Sequence, residues 1–336
     1  MSTLARMAPG AARLALPVIR LLERLPPSAG SFVALTWHRV DEAGANPDRS
    51  PGLLSATPHA FAEQVRWLAQ NRTVVRARAV AEALSGGDPL PAGAVLLTFD
   101  DAADDLARHI WPILSDAGLP GVAFVPTGFP DTSVAFWWDR LWDALRTTSV
   151  TTLESTPAGP LDLSGPDAAH QAFRALRGPI KSLPADEAMA VVDRIVDALG
   201  AKPARPSVLS WGELERLAGE GLELAPHGRT HAMLDRLPAD AAREEVAGSW
   251  SDLRERVPDA VPVFAYPSGQ SDSTAAAAVR EAGLVAAFGT ARGHNRLPGA
   301  DRWNLRRINI GGRTTGAALR AQLVPTAGAL LGRRLA

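Results

Sequence analysis

The sequence predicts an α/β protein built on a parallel sheet or barrel. From residue 31 onward, short apolar segments rich in β-branched residues alternate with segments of helical periodicity. Such βα alternation is typical of parallel strands, because each crossover needs a helix to return the chain to the same end of the sheet. At 336 residues, of which 46% are hydrophobic and 21% charged, the chain has the composition of a globular protein with a large core.

The alternation has two parts with an interruption between them. The first part predicts strands at 31–37, 73–75, 94–99 and 121–125, and helices at 58–70, 80–84, 103–117 and 136–145. Residues 148–206 are polar, contain Pro and Gly and offer no strand candidates, so they are interpreted as an insertion that is helical at 186–199. The second part predicts helices at 211–220, 239–257, 273–282 and 315–323, and strands at 222–225, 261–266, 284–288 and 304–310. Residues 313–336 form a C-terminal helix and tail in this interpretation.

The first 30 residues differ in character from the rest. Arg6, Arg13 and Arg20 recur at seven-residue spacing, so a basic amphipathic segment over residues 1–25 that contacts an anionic membrane is one interpretation. An arm that packs on the domain is the alternative. The uncharged apolar run at 14–19 is too short for a signal-peptide core or a spanning helix, and a cytoplasmic or membrane-peripheral location is therefore expected.

Composition excludes several classes of site. The chain has no cysteine, so disulfides, thiolate metal sites and cysteine nucleophiles are excluded, and any metal must use His, Asp or Glu. The 35 basic side chains are balanced by 36 acidic ones, which argues against a nucleic-acid partner.

Two adjacent carboxylates, Asp100 and Asp101, directly follow the apolar strand at 94–99. Ligands bind at this end of the strands in parallel α/β folds. One carboxylate could hold a cation while the other accepts a proton, provided that the chain is already turning there. The alternative is that Asp101 caps the following helix and Asp100 is a solvated turn residue.

Two further signals follow predicted strands. His227 and His231 are four residues apart, which on a helical turn would bring both rings to one side, and two histidines with one carboxylate form a normal catalytic zinc set. In the segment 264–269, Tyr266 precedes a Pro and a Gly that fix a turn able to present backbone N–H groups.

These motifs carry a resemblance. Thr98-Phe99-Asp100-Asp101, His227-x-x-x-His231 and Phe264-Ala265-Tyr266-Pro267-x-Gly269, in that order, resemble the polysaccharide deacetylase family, also known as the NodB-homology domain or carbohydrate esterase family 4. The resemblance implies a domain over residues 31–312 that is a distorted (β/α) barrel of about seven parallel strands. It also implies a divalent metal, usually zinc, and hydrolysis of N-acetyl groups on the amino sugars of a glycan.

The resemblance also implies roles for individual residues. Asp100 matches the general base, Asp101, His227 and His231 match the metal ligands, and the Tyr266 turn matches the segment whose backbone N–H holds the oxyanion. Ala102 stands where the family usually has Gly, and Gly228 where it usually has Ser or Thr.

The late Leu-x-x-His motif that supplies the family's general acid is missing. In a subset resembling biofilm poly-N-acetylglucosamine deacetylases the motif order is permuted, and His38, at the end of the first strand, would then be the acid. Arg307 would replace the arginine that orients the base.

Trp137, Trp138 and Trp303 are expected near the rim of the barrel and could stack on sugar faces, although a Trp-rich helix is also a normal packing element. Two other classes stay open at this point. One is an amidohydrolase of the same fold that acts on a small non-sugar amide, and the other is a non-catalytic glycan-binding relative.

Overall fold

The computed structural model describes residues 30–324, and its elements follow the βα alternation that the sequence predicts. The interpretations of the basic segment before residue 30 and of the tail after residue 324 lie outside the described residues. Within residues 30–324, no helix combines the length and the apolar character needed to cross a membrane.

The strands are short, and those at the centre of the fold are buried. In chain order they are β1 Ser31–Trp37, β2 Arg39–Val40, β3 Leu54–Ala56, β4 Val74–Val75, β5 Ala94–Asp100, β6 Val122–Val125, β7 Thr152–Leu153, β8 Leu161–Asp162, β9 Glu223–Pro226, β10 Val263–Ala265, β11 Ala286–Phe288, β12 Asn295–Arg296 and β13 Arg307–Asn309. The predicted strands correspond to β1, β4, β5, β6, β9, β10, β11 and β13. The others have no counterpart in the prediction.

The helices occupy the segments between the strands. They are α1 Pro58–Asn71, α2 Ala77–Leu84, α3 Trp111–Asp116, α4 Trp137–Thr147, α5 Ala168–Ser182, α6 Ala185–Ala198, α7 Trp211–Gly219, α8 Ala239–Arg256, α9 Ser273–Glu281 and α10 Gly316–Gln322. Side-chain caps fix several of their first turns: Thr57, Ser210 and Asp272 each accept a hydrogen bond from the backbone N–H three residues later.

Parallel pairing organises the fold. β5 lies between β1 and β6, β6 pairs with β9, β13 joins the other edge of β1, and β10 and β11 form a second parallel pair. Isolated contacts connect the two groups, since Val261 N–H donates to Leu224 O and Phe288 forms a parallel bridge with Leu305. The strands β1, β5, β6, β9, β10, β11 and β13 therefore follow one another in a ring. The prediction of an α/β fold with parallel strands is confirmed, and the interrupted junctions explain its distortion.

The alternation of side chains along each strand separates two hydrophobic cores. On β5, Leu96 faces a core inside the ring that contains Phe124 and Phe288. Leu97 faces an outer core between the ring and the helices, where Phe99 stacks on Trp37 at a centroid distance of 5.7 Å. Because both faces are buried, the strand is apolar along its whole length until it reaches the carboxylates at its end.

The insertion contains more structure than the sequence predicts. The predicted helix is α6, but α5 and the antiparallel pair β7–β8 were not predicted, and the expectation of no strand was wrong. α4, α5 and α6 share a third hydrophobic core around Trp142, Phe173 and Val192. The insertion is thus a helical layer that begins beside the mouth of the ring.

A buried ion pair joins β2 to α4, the helix on which the insertion packs. Arg39 of β2 donates two hydrogen bonds to Asp139 of α4, at 3.1 and 2.6 Å, and Asp139 also accepts the Ser50 N–H at 2.8 Å. The side chains of Arg39 and Asp139 are 7% and 1% exposed. Removal of the Asp139 charge would leave the Arg39 guanidinium buried without its partner, and Arg49, whose Nη1 is 3.8 Å from Asp139 Oδ2, would lose the same carboxylate.

Asp139→Asn should therefore lower the free energy of unfolding by about 3–5 kcal/mol, the usual cost of breaking a buried pair. Asp143→Asn is the matched control on the same helix, because its pair with Arg146 is more exposed and should contribute only about 0–1 kcal/mol. Urea unfolding of both variants measures the difference. Equal losses would show that the buried pair does not anchor α4.

Candidate active site

A tight turn at the end of β5 separates the two carboxylates. Asp100 is the last residue of the strand, and Asp101 and Ala102 follow with φ angles of 75° and 47°. Because the chain turns here, the two adjacent carboxylates can both reach the same site. The positive φ also explains why glycine would suit position 102, where any side chain is strained. The turn is held from outside by Leu209 N–H, which donates to Ala102 O at 3.0 Å.

The helix after this turn begins later than predicted. Ala103 forms a β-bridge with Val208, and a wide π-helical turn, Leu106–Ile110, leads into α3. The alternative in which Asp101 caps a helix is therefore wrong, because no helix begins at that residue.

Asp101, His227 and His231 form a cluster that could hold a metal ion. One ligand atom from each lies within 4.8 Å of the others. Nε2 of His231 and of His227 are 3.2 and 3.7 Å from Asp101 Oδ1, yet this buried oxygen takes part in no hydrogen bond. Burial would raise the pKa of Asp101, but the neighbouring imidazole of His231 lowers it below its ordinary value. An ionised, unsatisfied carboxylate beside two imidazoles is a donor set for a divalent cation.

The tautomer of His227 follows from its surroundings. Its Nδ1 is 2.6 Å from Ala265 O, and because a carbonyl only accepts hydrogen bonds, Nδ1 must carry the proton. Nε2 is then unprotonated, and its lone pair is on the side of Asp101. Burial lowers the pKa of His227 to about 4, so the neutral, metal-binding form prevails at neutral pH.

The two histidines lie on a loop and not on the helical turn that their spacing suggests. Gly228 and His231 have φ angles of 77° and 59°, which interrupt any helix. Glu245 of α8 replaces the missing helical bonds: its Oε2 accepts the N–H groups of Arg229 and Thr230, each at 2.9 Å. Gly228 therefore permits the positive φ angle that this loop needs.

A second contact from α8 supports the same loop. Asp252 accepts two hydrogen bonds from the Arg229 guanidinium, both at 2.8 Å, and one from Thr127 Oγ1 at 2.9 Å. Sequence reasoning missed Glu245 and Asp252, because both are acids on an exposed, polar helix and carry no local signal of a role in the site.

Asp100 is held by a buried arginine from the other end of the chain. Arg307 of β13 donates to both carboxylate oxygens, at 2.7 and 2.9 Å, while its Nε donates to Gly289 O at 2.9 Å. Burial would raise the pKa of Asp100, but the charge of Arg307 keeps it below its ordinary value. The predicted proximity of Arg307 to Asp100 is thus observed, and its part in catalysis stays a prediction.

His38 lies at the same rim. It follows β1, its backbone N–H donates to Ser55 Oγ at 2.9 Å, and its Nε2 is 3.9 Å from Asp100 Oδ2. The side chain is 19% exposed, so it faces both the carboxylate and the open space beside it.

One cavity of about 460 Å³ is lined by Asp100, Asp101, His38, His227 and His231. Trp137 and Trp138 form part of its wall, as expected, and Trp138 packs edge-on against His231 at a centroid distance of 4.9 Å. The insertion contributes Phe173, Arg177 and Lys181 from α5, a wall that the sequence did not predict.

Three predicted residues do not line the cavity: Tyr266, Trp303 and Arg307, the last of which reaches the site through its bonds to Asp100. Tyr266 donates its backbone N–H to Phe288 O at 3.0 Å and its hydroxyl to Trp303 O at 2.9 Å, and its side chain is fully buried. The N–H and hydroxyl of Tyr266 itself are thus not free for an oxyanion, and the role of the turn as a whole stays a prediction. Trp303 packs on the same core as Tyr266 and does not line the cavity, so its predicted contact with a sugar was wrong. Ser268 and Gly269, two and three residues further along the turn, reach the wall instead.

Fold and site together define a barrel enzyme with one arginine-held carboxylate beside an Asp-His-His cluster. A family profile described as polysaccharide deacetylase matches residues 87–287, more than half of the chain. The chain belongs to the polysaccharide deacetylase family, a family of hydrolases of carbon–nitrogen bonds, and this prediction is confirmed. The permuted-motif subset stays a prediction.

Known relatives agree with this assignment. Poly-β-1,6-N-acetyl-D-glucosamine N-deacetylase of Escherichia coli K12 is 36% identical over 109 residues, a match that covers 32% of this chain and 16% of that protein. Among solved structures, Streptococcus pyogenes deacetylase PplD in complex with acetate superimposes with a TM-score of 0.61 at 15% identity, over 89% of this chain and 100% of PplD. IcaB from Ammonifex degensii gives 0.58 at 18% identity, over 88% of this chain and 98% of IcaB. Because the sequence identities are 15% and 18%, these two structures establish the fold alone.

The Asp-His-His cluster predicts that the purified protein binds about one divalent metal ion per chain, since three protein ligands leave one position open. His231→Ala should remove most of the bound metal. His59→Ala is the control, because that ring lies on the exposed face of α1. Elemental analysis after dialysis measures both, and a His231→Ala protein with unchanged metal content would contradict the ligand assignment.

Proposed function

We propose that this protein is a metal-dependent hydrolase that removes N-acetyl groups from the amino sugars of a glycan. The observation that carries the proposal is the buried pairing of Asp100 with Arg307 directly beside the Asp101, His227 and His231 cluster. This arrangement separates a carboxylate that can accept a proton from a carboxylate that can bind a cation. N-deacetylation needs both functions at one point.

The residues present fit a zinc ion. Asp101 Oδ1 is a buried acceptor without a hydrogen bond, and Nε2 of His227 is left unprotonated by the bond of Nδ1 to Ala265. With His231 they offer one oxygen and two nitrogens, the donor set of catalytic zinc sites. When bound, zinc would activate water and polarise the amide carbonyl.

Asp100 is the group that would take the proton of the attacking water. Its bonds to Arg307 occupy one lone pair of each oxygen, which leaves the others free, and the guanidinium keeps the carboxylate ionised at neutral pH. Arg307 would also fix the direction in which Asp100 presents those lone pairs. The water oxygen bonds to the acetyl carbon as its proton moves to Asp100.

The carbon–nitrogen bond then breaks, and the leaving nitrogen needs a proton to become a free amine. His38 lies beside Asp100, with Nε2 at 3.9 Å from Asp100 Oδ2, and it lines the cavity. A protonated His38 would donate that proton. The products are acetate and an amino sugar, and the glycan named for the Escherichia coli relative, poly-β-1,6-N-acetyl-D-glucosamine, is the first polymer to test.

The separation of roles between the two carboxylates can be tested directly. Asp100→Asn should retain the metal and lose about 10²- to 10⁴-fold in the rate of acetate release, because a positioned base is removed. Asp101→Asn should instead weaken metal binding. Acetate release from N-acetylglucosamine oligomers and metal content are measured for both variants, and near wild-type activity in Asp100→Asn would place the base elsewhere.

The assignment of His38 predicts a dependence on the leaving group. His38→Ala should lose activity steeply on N-acetylated sugars but keep most of its activity on an activated aryl acetate ester, whose leaving group needs no proton. Metal content and thermal unfolding show whether the variant is intact. Equal losses on both substrates would mean that His38 only supports the structure.

A further inference from the structure

One face of α5 turns toward the cavity that holds the proposed catalytic groups. Phe173, Arg177 and Lys181 are spaced at four-residue intervals, so their side chains follow one another along that face. Phe173 is buried in the core of the insertion, whereas the other two are cations. The insertion therefore adds two cations to a site in which the ring's own cation, Arg307, is already paired with Asp100.

Lys181 is half-buried, and its ammonium group donates to Ser268 Oγ at 3.0 Å. A lysine in the last turn of a helix often serves the carbonyls of its own helix end, but this bond crosses the cavity wall to the turn after β10. Burial, followed by the nearby charge of Arg177, lowers the pKa of Lys181. Among residues 30–324, neither Lys181 nor Arg177 forms an ion pair, and the acid whose charge acts on Lys181, raising its pKa against burial and Arg177, is Asp101.

The charges that line the cavity do not balance. Within the described part of the chain, the acids that line it are Asp100 and Asp101, and Asp100 is already paired with Arg307. The single negative charge of Asp101 would be smaller than the double positive charge of a divalent ion bound to it. The two cations of α5 are then in excess, although an acetamido sugar carries no charge that they could neutralise. A half-buried ammonium group without a counter-ion is unfavourable, so the position favours a ligand that brings a negative charge.

We propose that the glycan bears an anionic group, a phosphate ester or a carboxylate, on the acetylated sugar or its neighbour, and that Arg177 and Lys181 bind it. The inference rests on the proposed function, because it places the anion in the same cavity as the reacting acetamide. The planar guanidinium of Arg177 can bind two oxygens side by side, and Lys181 adds a point charge deeper in the wall. Together they would select substrates by charge.

The test uses the full-length, zinc-loaded protein and three probes. N-acetylglucosamine 1-phosphate carries the phosphate, the β-1,4-linked disaccharide of N-acetylglucosamine and N-acetylmuramic acid carries the carboxylate, and methyl N-acetylglucosaminide is neutral. Calorimetry gives Kd, and acetate release gives kcat/KM. At least one anionic probe should bind about 10- to 100-fold more tightly than the neutral one, the range expected for hydrogen bonds to a charged group. Which of the two does so distinguishes phosphate from carboxylate.

Arg177→Gln and Lys181→Gln should each reduce the ratio of anionic to neutral affinity by about tenfold. Arg174→Gln is the matched control, since Arg174 is an exposed arginine on the same helix that does not line the cavity, and it should leave the ratio unchanged. Arg177 is exposed, so its replacement should not disturb folding.

Equal binding of all three probes by the wild type would overturn the inference. Selective binding that survives in both variants would overturn it too, because the anion would then bind the metal or another surface. Failure of the proposed function has a different signature: no probe or N-acetylglucosamine oligomer would release acetate, while the charge-dependent binding and its loss in the two variants would remain.

Discussion

The burial of two adjacent carboxylates at the end of β5 is the constraint on which the rest of the site depends. Asp100 and Asp101 are 4% and 2% exposed, and an unpaired charge at either position would be costly. The left-handed turn at Asp101 directs the two groups to different partners. The guanidinium of Arg307 neutralises the charge of Asp100, whereas Asp101 faces two imidazoles and, among the described residues, has no cationic side chain paired with it. The different roles proposed for the two carboxylates follow from this difference in their partners.

Sequence patterns were sufficient for the parts of the fold and site that depend on strand ends. The apolar runs at β1 and β5 are long enough to be recognised, and the motifs after β1, β5 and β9 meet because parallel strands bring their carboxyl ends to one rim. His38, Asp100, Asp101, His227 and His231 were all predicted to share that rim, and they line one cavity. Arg307 was also identified, although 207 residues separate it from Asp100.

The remaining features depend on three-dimensional partners that spacing does not encode. α5 was missed because Gly178 and Pro179 interrupt its pattern, and its apolar face acquires meaning only against α4 and α6. The spacing of the histidine pair suggested a helix, but Gly228 permits the loop that Glu245 holds. The bond of the Tyr266 N–H was not predicted, because its partner, Phe288 O, belongs to a strand pairing that a single sequence does not reveal.

The pairing of β13 with β1 also has a consequence for how the molecule folds. β1 and β5 can associate early, but the partner of the acid at the tip of β5 arrives only with β13, after a long intervening chain. Long-range closure of this kind slows folding, because chain entropy is lost before the contact is gained. On the ribosome, a nascent chain whose β13 segment has not yet emerged has no guanidinium partner for Asp100 at the end of β5. Until β13 docks, burial of Asp100 carries the cost of an unpaired charge, so the Arg307 pairing couples the position of β13 to the burial of the acid.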